Sequence, residues 1–161
     1  MLNIKHITEE GTELEIIRQL FREYESELDE NICFQSFEEE LNDPLIKYGQ
    51  PSGLLILAYW KNEPDSYRVA GCIAMTAMKE KGVCELKRLY VRPQFRKNKI
   101  GKELVEKIIE VAKKKNYSSM RLDTLSKLQP AISIYEKFGF KNISAYYDNP
   151  LDGVVYMEKH F

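Results

Sequence analysis

The stretch YVRPQFRKNKIGKELVEKII, Tyr90 to Ile109, constrains the fold more than any other part of the chain. A β-like run ends at Val91, a dense basic loop follows, and Ile100, Leu104, Val105, Ile108, Ile109, Val111 and Ala112 then recur at helical spacing. The helix closes on Lys113-Lys114-Lys115-Asn116, which sets cations against the negative end of its dipole. A strand that feeds an amphipathic helix through a short loop points to an α/β layout, and the flanking segments agree. Leu2–Thr8 alternates weakly as a first strand. Leu14, Ile17, Leu20, Phe21, Tyr24 and Leu28 give a helix over Thr12–Leu28, with Thr12 and Glu15 spaced as a capping box. Ser36, with Glu39 after it, predicts a second short helix ending near Asn42, before Pro44. Leu54–Trp60, Arg68–Met78 and Val83–Val91 read as an antiparallel meander, with Lys61–Ser66 as a hairpin loop. Beyond the central helix come a strand at Ser119–Leu125, a helix at Pro130–Phe138 stopped by Gly139, and strands at Phe140–Tyr147 and Val154–Glu158. The order β α α β β β α β α β β predicts a mixed sheet without repeats or linkers, and 161 residues suit a single domain.

Charge is distributed unevenly. The chain carries a net charge of −1. From Glu9 to Glu40 the only basic residues are Arg18 and Arg22, whereas from Lys79 to Lys102 the only acidic ones are Glu80 and Glu85. Asymmetry of this kind describes surfaces rather than fold. Cys33, Cys72 and Cys84 are odd in number and form no CxxC, which speaks against a disulfide framework and a zinc site and suits a reducing compartment. The charged start lacks the apolar core of a signal peptide, and the longest apolar run, Leu54–Trp60, is too short to span a bilayer. A cytoplasmic protein with no membrane partner and no metal is the expectation.

Arg96–Gly101 lies between a strand end and a helix start. The first turn of that helix offers free backbone N–H groups and a positive dipole end, and lysines and an arginine flank it, so the loop is built for a phosphate. It is neither a GxxxxGK[ST] loop nor a GxGxxG fingerprint. Two other readings stand beside this one. The loop is only a solvated basic surface, or Lys79–Lys102 binds nucleic acid. Few aromatic residues near the patch and a slightly acidic chain argue against a nucleic-acid partner.

The stretch from Glu85 to Thr124 resembles the central motif of the GNAT superfamily of acyl-CoA-dependent N-acyltransferases. In that motif a strand ending in an apolar-x-Val is followed by a [QR]xxGx[GA] loop and a helix. The loop here is Arg96-Lys97-Asn98-Lys99-Ile100-Gly101. A second superfamily signature, an alanine-x-x-x-tyrosine helix ending in Gly-Phe, is similar to Ala131–Phe140, with Tyr135 at the tyrosine and Gly139-Phe140 at the end. The resemblance implies a GNAT-type α/β fold: a mixed, mostly antiparallel central sheet flanked by helices. It also implies acetyl-CoA as cosubstrate and a primary amine, on a small molecule or a protein, as acceptor, with acetyl transfer direct in a ternary complex. A homodimer is common in the superfamily. One position departs, because Lys99 stands where the motif has its first glycine; the residue there must take a negative φ or accept strain.

On this resemblance the backbone N–H groups of Lys97, Asn98, Lys99, Ile100, Gly101 and Lys102 cradle the coenzyme A pyrophosphate, and Arg96 opens the cradle. Leu89 polarises the thioester carbonyl through its N–H, Val91 pairs with the pantetheine arm as an added strand would, and Tyr90, Tyr135 and Phe138 complete the cofactor-binding set. Tyr135 is the candidate acid for the leaving thiolate; without the resemblance it reads as a core tyrosine. Glu85 is the candidate base and otherwise reads as a strand carboxylate paired at the surface with Lys87 or Arg88. Asp123 is its rival, or a buried carboxylate held by hydrogen bonds. Tyr146-Tyr147-Asp148-Asn149-Pro150 borders an acceptor pocket or is a plain turn. Glu23, Glu27 and Glu30 attract a cationic acceptor or only face solvent. His6 and His160 read as surface, and Cys84 as a small strand residue. A sensor that binds acetyl-CoA without catalysis is the remaining alternative.

Overall fold

The computed structural model describes residues 1–32 and 35–161. In chain order it contains β1 (Leu2–His6), α1 (Thr12–Leu28), α2 (Phe37–Asn42), α3 (Pro44–Tyr48), β2 (Leu54–Glu63), β3 (Ser66–Ala77) and β4 (Val83–Val91). A 3₁₀ turn (Pro93–Asn98), α4 (Ile100–Lys114), β5 (Ser119–Leu125), α5 (Gln129–Lys137), β6 (Lys141–Ile143) and β7 (Val154–His160) follow. The strands form one seven-stranded sheet in the order β1-β2-β3-β4-β5-β7-β6. Every neighbouring pair is antiparallel except β4 and β5, which run parallel because α4 carries the chain across the sheet between them.

Both faces of the sheet are covered. On one face Ile100, Leu104, Val105, Ile108 and Ala112 of α4 meet Ile56, Ile73, Met75, Leu86 and Leu122, and Tyr135 of α5 joins them. On the other, Leu14, Ile17, Leu20 and Phe21 of α1 and Phe37 of α2 pack on Leu55, Leu57, Cys72 and Tyr90. Burial on both faces is why Leu54–Ala58 reads as an unbroken apolar run rather than an alternating one. Cys72 and Cys84 are buried free thiols; Cys33 lies outside the described residues.

Several boundaries differ from the sequence expectation. Thr12 does not cap α1; that position falls to Gly11, whose φ of 150° suits glycine alone, and it makes no side-chain cap. Ser36 sits in the left-handed region and likewise makes no side-chain cap bond. The working cap is Asp43, which accepts from the Leu45 N–H at 3.2 Å and opens α3, an element too short to show periodicity. β2 and β3 run closer together than expected, with Glu63 opposite Ser66 and only Pro64 and Asp65 between them. β6 stops at Ile143 instead of Tyr147, because Tyr146 and Tyr147 turn inward to bond carboxylates of the sheet. Among the described residues no helix is long and apolar enough to cross a membrane.

Candidate active site

The site begins with a gap in the sheet. β4 and β5 pair only at Val83–Ser119, Cys84–Met120 and Glu85–Arg121. Beyond that point β4 continues against β3 and β5 against β7, and the two strands splay. The splay coincides with a bulge. Cys72 is opposite Tyr90 and Ala74 opposite Lys87, so β4 carries one residue more than β3, and Arg88 and Leu89 stand outside the register. Arg88 takes the left-handed φ of 58° there. Alternation is reset, and two successive cations, Lys87 and Arg88, share Gln35 Oε1 on the α1–α2 face, while Leu89 and Val91 pack towards the α4 face.

A channel of about 380 Å³ occupies the gap. Leu89, Tyr90 and Val91 form one wall, Pro130, Ala131 and Ile134 the opposite one, and Tyr24 and Glu27 the α1 side. Arg96 and Gly101 stand at its basic end. A β-carbon on Gly101 would come within 3.2 Å of Ile134 Cδ1, so glycine keeps the loop and α5 close. The helix start behind it is uncapped: Lys99 makes no side-chain cap bond, and the first of the helix N–H groups to find a backbone acceptor is that of Glu103, on the Lys99 carbonyl at 3.2 Å. Lys99, Ile100, Gly101 and Lys102 therefore present the orphan donors of a helix start. Lys99 does adopt positive φ, 59°, so it keeps the backbone path that glycine would take and carries the strain.

The other expected cofactor residues divide. Lys97, Lys99 and Lys102 are exposed on the loop. Asn98 donates to the Phe95 carbonyl and holds the 3₁₀ turn. The Ile100 side chain is buried in the α4 core, leaving only its backbone for a ligand. Arg96 Nε donates to the Val91 carbonyl at 2.8 Å and its Nη2 meets Glu27 at 2.5 Å, so that carbonyl is already engaged. Phe138 lines neither the channel nor the cavity beyond it; it packs against the α4-side core. The acidic residues in and just after α1 have partners within the molecule: Glu23 pairs with Arg92, Glu27 with Arg96 and Glu30, past the end of α1, with Lys127.

Tyr24, Leu28, Leu89, Leu128 and Ala131 border both the channel and an inner cavity of about 50 Å³. Lys87, Arg88, Gln35, Asp123, Tyr135 and Asn149 also line the cavity. Asp123 Oδ2 accepts from the Tyr147 hydroxyl at 2.5 Å and from Asn149 Nδ2 at 3.0 Å. Burial pushes the Tyr135 phenol well above its ordinary range, with Tyr24 and Asp123 adding to the effect. Glu85 does not line the cavity; its Oε2 accepts from the Tyr146 hydroxyl at 2.7 Å, and its Oε1 lies 3.9 Å from Lys87 Nζ. Burial, then Glu85, raises the Tyr146 phenol, and burial, then Asp123, raises that of Tyr147. The loop flagged from sequence thus meets both candidate bases.

The polar floor of the cavity escaped sequence reasoning. Lys87 and Arg88 are buried, not surface partners of Glu85. Arg88 forms a bidentate pair with Glu40, Nε to Oε2 at 2.7 Å and Nη2 to Oε1 at 3.0 Å, and Nη1 reaches Gln35 Oε1 at 2.8 Å. The adjacent cations Lys87 and Arg88 in ELKRLYV are a local sign of a polar patch on β4, but not of its register. Burial pushes the Cys84 thiol up to about 12, in keeping with a packed strand residue and not a nucleophile. His6 and His160 are exposed. Among the described residues no three His, Cys, Asp or Glu side chains group as a metal ion would require.

Residues 14–140 match the sequence family described as "Acetyltransferase (GNAT) family". An uncharacterised N-acetyltransferase of Schizosaccharomyces pombe is 43% identical over 146 residues, spanning 90% of this chain and 86% of the relative. An acetyltransferase from Streptococcus agalactiae shares the fold with a TM-score of 0.78 at 22% identity, covering 99% of this chain and 98% of that one. A GNAT family acetyltransferase from Elizabethkingia anophelis, solved with acetyl-CoA bound, superposes with a TM-score of 0.67 at 20% identity over 99% of this chain and 98% of its own. The splayed strands, the loop before α4 and the match over most of the chain agree: the chain belongs to the acetyltransferase (GNAT) family.

Proposed function

We propose that the protein transfers an acetyl group from acetyl-CoA directly to a primary amine within a ternary complex. The observation that carries this reading is continuity: one open seam between β4 and β5 joins an uncapped, basic helix start to a cavity lined by Asp123 and Tyr135. The residues present fit the cosubstrate. Orphan N–H groups from Lys99 to Lys102 suit a pyrophosphate, and the largely apolar channel between β4 and α5 suits a pantetheine arm. That the Elizabethkingia relative was solved with acetyl-CoA bound supports the same assignment.

Leu89, freed from the β3 register by the bulge and bordering both cavities, donates its N–H to the thioester carbonyl oxygen, where negative charge develops. Asp123 takes the proton of the attacking amine as the new C–N bond forms. It is the nearer candidate because it lines the cavity, whereas Glu85 stands behind Tyr146. Tyr135, which lines the cavity, delivers its phenolic proton to the sulfur as the C–S bond breaks. A proton passed from Asp123 to the tyrosinate restores both groups. The products are the acetylated amine and free coenzyme A.

Thiol release from acetyl-CoA, followed for wild type, Asp123→Asn and Tyr135→Phe over a panel of amines, tests this. Turnover by wild type on at least one amine, reduced in both variants while acetyl-CoA still binds, is the expected result. Binding without turnover on any amine would leave a sensor in place of an enzyme.

A further inference from the structure

Two ionisable side chains in the inner cavity, Lys87 and Asp123, have no tight partner of opposite charge. Lys87 is buried, and its ammonium group can donate three hydrogen bonds. Among the described residues it makes one, to the neutral Gln35 Oε1 at 3.2 Å, an oxygen that also serves Arg88. The nearest carboxylate, Glu85, is a loose ion-pair partner: its Oε1 stands 3.9 Å away, beyond hydrogen-bond distance, while its Oε2 accepts from Tyr146 at 2.7 Å. Arg88 offers no such deficit, because Glu40 takes two of its donors. Across the cavity Asp123 shows the mirror image: its hydrogen bonds come from Tyr147 and Asn149, both neutral, and all on one oxygen. Burial pulls the Lys87 ammonium down from the ordinary lysine range, while Glu85 and Asp123 pull it back. A buried cation held mostly by neutral groups is costly unless something anionic joins it.

We propose that the acceptor is a free α-amino acid with a small side chain, its carboxylate on Lys87 and its amine against Asp123. The inference rests on the transferase reading above and names the substrate class for that same site. An ammonium and a carboxylate joined through one carbon supply both missing charges, and the ammonium gives one proton to solvent before the neutral amine attacks. A polyamine or a peptide lysine would bring a second cation, or no anion, to Lys87. Size points the same way. At about 10–15 Å³ for each water-sized group, a cavity of about 50 Å³ takes roughly four such groups, close to the ammonium, α-carbon and carboxylate of an amino acid.

The experiment is a set of kcat/KM values with acetyl-CoA for three matched pairs: glycine and methylamine, alanine and ethylamine, serine and ethanolamine. Spermidine and a lysine-containing peptide are added, and the pairs are repeated with Lys87→Met. The expected result is a preference of about 100-fold or more for the amino acid within a pair, narrowed at least tenfold in Lys87→Met and expressed chiefly in KM. Equal use of both members of each pair overturns the inference, as does an unchanged ratio in the variant. Acetylation of spermidine or the peptide alone overturns it while leaving the transferase reading intact. No acetylation of any amine by a protein that binds acetyl-CoA overturns both. If Lys87→Met does not fold, the wild-type ratios alone decide.

Discussion

At the scale of single residues, the proposed mechanism rests on Asp123 and Tyr135. Replacing Asp123 by Asn removes the proton acceptor but keeps a side chain able to meet Tyr147; kcat should fall by about 10²–10⁴-fold, with thermal stability close to wild type. Steady-state kinetics beside a melting curve checks both halves. Glu40 tests structure instead. It and Arg88 are each 2% exposed, so Glu40→Ala leaves a buried guanidinium without its anion. That should cost about 3–5 kcal/mol, read from denaturant unfolding. The burial of Tyr135 is legible in sequence because its place is set by a local helix pattern, whereas its candidacy as the acid comes from the family resemblance. The buried state of Lys87 and Arg88 was not, because their partners Gln35 and Glu40 lie 52 and 48 positions away. Nothing local to ELKRLYV says that a glutamate from α2 will meet it.

At the scale of elements, the decisive features are the β4 bulge and the turn into α4. Long apolar or periodic elements such as β2, α1 and α4 could be read directly, since period and burial agree along them. A bulge could not, since it is a property of register between two strands and not of either strand. Lys99 makes the turn testable. A non-glycine residue in the left-handed region costs about 1–2 kcal/mol, so Lys99→Gly should stabilise the fold by about 1 kcal/mol. For a chain of this length that raises the melting temperature by about 2–4 °C. A lower melting temperature would mean that the lysine charge contributes more than its backbone costs. The sequence predicts a longer β6 for a reason on the same scale: Tyr146 and Tyr147 look like strand residues, but hydrogen bonds to Glu85 and Asp123 draw them out of the ladder.

On the scale of the whole molecule, the contrast between an acidic first third and a basic middle resolves into pairing. Arg92 pairs with Glu23 of α1, and Arg96 reaches Glu27 beside the channel, so the basic loop is braced as well as charged. Buried phenols give a second global property. Burial raises Tyr24, Tyr48, Tyr135, Tyr146 and Tyr147 above the value of 10 for a free phenol. Between 10 and those raised values the unfolded chain binds fewer protons than the native one, so stability falls as pH rises through that window. These groups contribute no slope below it. Melting temperatures should therefore drop steeply above about pH 10, and a flat profile there would show the phenols to be less buried than described. We infer that the β4–β5 seam holds acetyl-CoA, with its pyrophosphate on the start of α4. Calorimetric titration with acetyl-CoA at low and raised salt tests it most directly. The predicted result is one site with Kd on the order of 1–100 µM, weakened by salt as charge neutralisation requires. Absence of binding at millimolar acetyl-CoA, or binding indifferent to salt, would contradict it.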